Sequence, residues 1–173
     1  MRGNKSESGF TLIELLIVVA IISIIAAIAV PGLLRARMTG NETSALSSLK
    51  VATSSQVAYS ASCVNGAYAA TFVILGTAPA GSQAFISADL GASATPQKSG
   101  YNFTLTAGAG SAAGPADCNA AATVTAYYAS ATPMTFGTTG GRSFATNAGN
   151  TIWQVNAAAA PSEPFGAPAT PIQ

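Results

Sequence analysis

The sequence predicts an α+β protein in which a long N-terminal helix, with its apolar half exposed, packs on a small antiparallel β-sheet head. From Phe10 to Val30 the chain is almost wholly apolar, whereas from Asn41 to Ser62 apolar residues recur every three or four positions, as on one helix face. Later segments alternate apolar and polar residues, which is typical of strands with one buried face. The length of 173 residues suits one domain with an appendage.

The segment from Phe10 to Val30 is long enough to cross a membrane. Its 21 residues would form a helix of about 32 Å, close to the ~30 Å hydrocarbon core of a bilayer. A cleaved secretory signal ending at Ala27-Ile28-Ala29 is the alternative, but this apolar run is longer than the core of a signal and carries an acid, Glu14, near its start. A carboxylate inside a membrane marks a functional site, so Glu14 should have a cationic partner.

Two soft points follow in the same helix. Pro31 in a helix interior costs about 3 kcal/mol, and Gly32 adds about 1 kcal/mol relative to alanine. Gly40-Asn41 is the second soft point. The amphipathic half, residues 32–62, should lie on the head, and the face it buries is predicted to carry Ala45, Leu49, Ala52, Gln56, Tyr59 and Cys63.

The head is predicted to span residues 63–156. It should begin with a turn at Asn65-Gly66, followed by a short apolar run at 71–75 that is either a strand or a loop anchor. Strands are predicted at 101–106, 123–132, 142–146 and 151–155, with the last two forming a hairpin. The Ala- and Pro-rich stretch 157–173 is predicted to be a flexible tail.

The composition excludes several classes of function. Seven Lys and Arg against six Asp and Glu give a net charge of +1, unlike the dense basic field of a nucleic-acid-binding protein. Histidine is absent, and two cysteines cannot form a four-thiolate zinc site. Asp89 and Asp117 stand apart among small residues. We therefore expect no enzyme activity, no cofactor, no metal site and no nucleic-acid partner.

The N-terminal motif is long and specific. It reads Gly9-Phe10-Thr11-Leu12-Ile13-Glu14-Leu15-Leu16-Ile17-Val18-Val19-Ala20-Ile21-Ile22, and it resembles the N-terminus of type IV pilins and the related type II secretion pseudopilins. The likeness continues through Pro31 along the first helix, and Arg142–Thr146 more weakly resembles the C-terminal sheet of small bacterial pilins.

The resemblance implies roles for individual residues. Residues 1–9 would be a leader peptide, cut between Gly9 and Phe10 by a prepilin peptidase that also methylates the Phe10 amine. Glu14 would pair with the N-terminal amine of a neighbouring subunit, and opposite charges attract strongly at low dielectric. Such a pair would report helix register more than it would add stability. The alternative is that Glu14 snorkels to the membrane interface and contributes little.

The same resemblance bears on the helix and on the cysteines. In pilins the helix commonly continues past such a proline in the subunit and can unwind around it in the filament. We therefore expect residues 30–41 to be helical in the membrane and partly extended in a fibre, with a simple kink at Pro31-Gly32 as the alternative. A head outside the cytoplasm and an even cysteine count favour a Cys63–Cys118 disulfide over two buried free thiols.

The function that the resemblance implies is that of a structural subunit of a type IV pilus, with an adhesion, motility or related surface role, polymerising through its apolar helix after leader cleavage. The implied partners are further copies of the chain in a helical homopolymer, the prepilin peptidase/N-methyltransferase, an inner-membrane platform protein, an assembly ATPase, an outer-membrane secretin where two membranes exist, and the lipid bilayer before assembly. The head would lie in the periplasm while the chain is in the inner membrane, and the assembled pilus would be extracellular.

Three alternatives remain open from the sequence. A type II secretion pseudopilin belongs to the same structural class, but the major pseudopilin has a calcium site in its C-terminal loop, and this chain offers only Glu163 after Asp117. A minor pilin that starts fibres can lack the early acid, whereas this chain keeps Glu14. A membrane-anchored adhesin or binding module would need neither Glu14 nor a cleavable Gly9–Phe10 bond.

Overall fold

The computed structural model describes residues 9–172, and the α+β class predicted above is confirmed. The elements of this range are, in chain order, α1 (Leu12–Ser62), β1 (Tyr68–Ala69), α2 (Phe72–Gly76), α3 (Ala88–Gly91), β2 (Gln97–Lys98), β3 (Tyr101–Ala107), β4 (Thr123–Val124), β5 (Tyr127–Pro133), β6 (Ser143–Asn147), β7 (Ile152–Val155) and β8 (Thr170–Pro171). Contacts divide the chain into two compact units, with the boundary between Ala36 and Arg37.

The first unit contains the N-terminal part of α1. Its large apolar side chains are all exposed, from 48 % for Val18 to 86 % for Phe10. The helix is long and apolar enough to cross a membrane, as judged by length and composition. It runs through Pro31 and Gly32 without ending.

The second unit is built on a six-stranded antiparallel sheet of order β2-β3-β5-β6-β7-β8, beside a small β1–β4 pair. The later part of α1 buries the predicted face on this unit: Ala45, Leu49, Ala52, Gln56 and Tyr59 are all buried, and Cys63 is half-buried. Gln56 is tolerated there because its amide donates to the carbonyl of Ala69 at 2.8 Å and accepts from the Ala69 N–H at 2.9 Å.

The strand predictions are confirmed with one refinement. β3 alternates buried and half-buried residues over its first five positions, and β6 and β7 form the predicted hairpin. The single strand predicted at 123–132 divides into β4 and β5, because the N–H of Thr125 and the carbonyl of Ala126 bond to the connector over 108–114 instead. The predicted turn at Asn65-Gly66 is present, and both residues have positive φ.

One short segment is helical where the sequence predicted a strand or a loop. Residues 71–75 were expected as a strand or loop anchor, but the structure has the helix α2 there. Thr71 caps this helix, its hydroxyl accepting from the N–H of Ile74 at 3.4 Å. Phe72 and Leu75, three positions apart, are both fully buried on one side of the helical turn.

The C-terminal segment, residues 157–172, differs from the flexible tail that was predicted. It lies along the sheet: β8 pairs with β7, and the ring of Phe165 stacks on that of Trp153 with centroids 5.5 Å apart. The hydroxyl of Tyr128 donates to the carbonyl of Pro161 at 2.6 Å. Prolines keep most of this segment out of regular structure, but its carbonyl groups and one aromatic ring still bond and pack.

Candidate functional site

The predicted processing bond lies in an exposed, non-helical stretch. Gly9, Phe10 and Thr11 precede α1, and all three are exposed. Nothing lies within 4 Å of the position that a Cβ on Gly9 would take. The remainder of the predicted leader, residues 1–8, lies outside the described residues. The bond between Gly9 and Phe10 is therefore open to another protein from the side that the structure describes.

Glu14 is held by the first turn of its own helix. Its Oε2 accepts from the N–H of Thr11 at 2.9 Å and from the Thr11 hydroxyl at 2.6 Å, while the Glu14 N–H points to the Thr11 hydroxyl oxygen at 3.4 Å. This reciprocal arrangement is a capping box, which satisfies helix N–H groups that otherwise have no partner. The sequence analysis missed it, although Thr-x-x-Glu before an apolar run is its signature. The carboxylate consequently points back toward the start of the chain.

The remaining polar and helix-breaking residues of this segment stay within the helix. The hydroxyl of Ser23 donates to the carbonyl of Val19 at 2.7 Å, so its polar atom is satisfied inside the helix. Pro31 and Gly32 lie further along α1, and space is open around Gly32. The structure thus places Gly9, Phe10 and Glu14 around the first turn, whereas Pro31 and Gly32 are not part of that cluster.

The second unit contains an ion pair that joins α1 to the start of β6, with the Glu42 carboxylate buried and the Arg142 side chain 40 % exposed. The carboxylate of Glu42 accepts from the N–H of Gly141 at 2.8 Å and from Nε and Nη2 of Arg142 at 2.9 and 2.7 Å. The guanidinium also donates to Gln154 at 2.8 Å and lies 5.6 Å from the ring centroid of Phe144. Since Glu42 and Arg142 are 100 positions apart, no local pattern in the sequence predicts this contact.

The disulfide lies beside a buried carboxylate. Cys63 and Cys118 are joined, with their Cα atoms 5.1 Å apart. The neighbouring Asp117 accepts from the Tyr59 hydroxyl at 2.6 Å and from the N–H groups of Asn119 and Ala121 at 2.8 and 2.7 Å. The three side chains of Cys63, Asp117 and Cys118 lie close enough together to suggest a metal site. Because both sulfurs are bound in the disulfide, they are not thiolate ligands.

Both carboxylates that the sequence left isolated have partners. Burial raises the pKa of Asp117, but the hydrogen bonds from Tyr59 and from the N–H groups of Ala121 and Asn119 outweigh it, so this pKa lies below its usual value. Burial first, and then the Asp117 carboxylate, raise the pKa of Tyr59. Asp89 bonds to Lys98 at 2.7 Å, and this contact, together with the Ser87 hydroxyl, lowers the pKa of Asp89.

Comparisons with known proteins concern the N-terminal segment. Residues 4–30 match the family model of the prokaryotic N-terminal methylation motif. Over 39 residues the chain is 59 % identical to the type IV wide pilus major component PilA4 of Thermus thermophilus. That alignment covers 22 % of this chain and 30 % of the relative's length. No solved structure matches the chain. The N-terminal segment of this chain is therefore similar to that of a type IV pilin.

Proposed function

We propose that this chain is the precursor of a structural subunit of a type IV pilus. One observation carries the proposal: an N-terminal methylation motif is followed directly by an apolar helical segment whose large side chains are all exposed. Such a surface is stable in a lipid bilayer or against other apolar helices, but not in water. Adhesion, motility or a related surface function would then belong to the assembled fibre.

The first step of the proposal is processing. A prepilin peptidase cuts between Gly9 and Phe10 and methylates the new amine of Phe10. The exposed, non-helical position of these residues supports this step, since a peptidase has to reach a bond that is not held within a helix. Cleavage also leaves a cation at the end of the chain toward which the capping box already directs the Glu14 carboxylate.

The second step is assembly. The amine of Phe10 on one subunit pairs with Glu14 on its neighbour and sets the register, while the apolar segments bundle and replace their lipid contacts by contacts with one another. Lipid and a bundle of apolar helices are similarly apolar surroundings, so the transfer from one to the other gains little free energy. Extraction therefore needs work from an assembly ATPase acting through an inner-membrane platform protein. Pro31 and Gly32 are the residues at which we expect the helix to unwind over 30–41 in the fibre.

The surroundings follow from these steps. Before assembly the apolar segment lies in the inner membrane and the head lies in the periplasm. After assembly the filament is extracellular, passing an outer-membrane secretin where a second membrane exists. Filament subunits of this kind act by self-association, and the matched relative is named as a pilus component.

The variant Glu14→Ala tests the role of the carboxylate in register. It should insert into the membrane and be cleaved as in the wild type, but yield few fibres when filaments are sheared from cells. Ser23→Ala is the matched control, because it removes another internally bonded polar side chain of the apolar segment and should leave the fibre yield unchanged. Normal fibre yield from Glu14→Ala would show that Glu14 does not set the register.

A further inference from the structure

The loop between β5 and β6 carries two exposed apolar side chains on an ordered backbone. Met134 and Phe136 are 48 % and 47 % exposed, and residues 134–141 carry no charge. The loop is braced internally, with the N–H of Gly137 bonded to the carbonyl of Gly140 at 2.8 Å and that of Thr139 bonded to the carbonyl of Thr135 at 2.9 Å. It therefore presents two neighbouring apolar side chains to solvent on a fixed backbone.

A groove of about 460 Å³ lies between α1 and the turn that joins β6 to β7. Its lining includes the apolar side chains of Leu46, Val57, Ile152 and Ile172, together with four uncharged polar residues and one charged residue, Lys50. Val57 is 48 % exposed there, although it lies on the part of α1 that belongs to the second unit. The groove thus offers a site for one or two large apolar side chains.

The loop and the groove lie at opposite ends of the sheet. The loop precedes β6 at Ser143, and the turn of the groove follows β6 after Asn147. Five extended residues span about 17 Å. The strand β6 is fixed between β5 and β7 by hydrogen bonds, so one copy cannot place its own loop in its own groove. An occupant of matching chemistry from this protein has to come from another copy.

We propose that the loop of one copy docks in the groove of the next, with Phe136 and Met134 inserted beside Val57 and Ile152. This inference rests on the proposed function, since the filament is what brings a second copy alongside. An aromatic anchor in an apolar pocket is the usual centre of a protein interface. The two surfaces differ, so the contact is heterologous and repeats without closing, as an open helical polymer requires. An uncharged loop also leaves the Lys50 ammonium hydrated at the rim rather than buried beside a second cation.

Photo-crosslinking in filaments tests the contact directly. A benzophenone amino acid replaces Phe136 in the full chain, and filaments are assembled from isotopically light and heavy copies. The expected crosslinks join the loop of one isotopic form to residues 46–57 or 150–152 of the other. Filaments whose crosslinks from position 136 reach other surfaces would overturn this inference and leave the filament proposal intact. If the chain yields neither filaments nor crosslinked pairs in the membrane fraction, both proposals fail.

A double-mutant cycle gives an independent readout. Phe136→Ser and Val57→Ser should each lower the yield of sheared filaments about tenfold. The double variant should give a yield no lower than that of the single variant with the lower yield, because both changes remove the same contact. Val73→Ser is the matched control, since Val73 is 42 % exposed on α2, away from the loop and the groove, and it should assemble normally. A yield about a hundredfold lower in the double variant would mean that the two losses are independent and would overturn the proposed contact. A normal yield from Phe136→Ser would overturn it as well.

Discussion

Removing the Tyr59 hydroxyl tests how the second unit holds a buried carboxylate. Tyr59 is 1 % exposed, and its hydroxyl donates to Asp117, which is 8 % exposed. The variant Tyr59→Phe keeps the ring and its edge contact with Phe85, so the change is confined to one hydrogen bond. A hydrogen bond to a charged group contributes about 1.5–3 kcal/mol. We expect a loss of about 2 kcal/mol in the free energy of unfolding at pH 7, roughly a thirtyfold change in the folding equilibrium.

The loss should depend on pH in a defined direction. The pKa of Asp117 is lowered in the folded state, so the stability that its ionised form contributes is present above the unfolded pKa of about 3.9 and is lost as the pH falls through the folded pKa. At pH 3 the loss should therefore be smaller than at pH 7, because the carboxyl begins to take up a proton there and a bond between neutral groups is weaker.

The assay is urea unfolding of the full chain in detergent micelles, followed by the fluorescence of Trp153, the single tryptophan. Tyr128→Phe is the matched control: it removes a hydroxyl that donates to a neutral carbonyl, that of Pro161. Its loss of about 1 kcal/mol should be equal at pH 7 and pH 3. If Tyr59→Phe lost the same free energy at both pH values, or less than the control at pH 7, the account of the Tyr59–Asp117 bond would be refuted.

Three further predictions concern stability. Replacing both Cys63 and Cys118 by serine removes a crosslink between residues 55 positions apart and should lower the unfolding free energy by about 4 kcal/mol, measured by urea unfolding; a loss under about 1 kcal/mol would mean that other contacts hold these positions. Glu42→Gln should cost about 2 kcal/mol, because Arg142 loses its counter-charge and an amide with one oxygen cannot accept from both Arg142 and the Gly141 N–H; high salt should reduce part of this difference, since the Arg142 side chain is 40 % exposed. Phe165→Ala should shift tryptophan emission to longer wavelength and cost about 1 kcal/mol; unchanged emission would mean that the C-terminal segment does not pack in solution.

The parts of the fold that could be predicted are those with a local periodic signal. The face of α1 from Ala45 to Tyr59 follows from the helical repeat of 3.6 residues, and β3 follows from strict alternation of apolar and polar residues. The β6–β7 hairpin follows from turn residues between two short apolar runs. In each case, one face of the element is buried and the sequence repeats with the element's own period.

The parts that could not be predicted depend on contacts between distant residues. The C-terminal segment lacks any period, and it is fixed by the Phe165 ring and by backbone carbonyls, which every residue carries. The pairing of Glu42 with Arg142 and that of Tyr59 with Asp117 join positions 100 and 58 residues apart. By contrast, the capping box at Thr11 and Glu14 has a complete local signature, Thr-x-x-Glu before an apolar run, and could have been predicted from the sequence.

Intact mass spectrometry of filaments sheared from the cell surface, beside the membrane fraction, tests the central claim most directly. The account predicts a mature chain in the sheared filaments that begins at Phe10 and carries one N-terminal methyl group. The same mature chain confined to membranes would instead indicate a pseudopilin or a rare minor subunit. A chain that still carries Met1 to Gly9, or one cut near Ala29, would contradict the account.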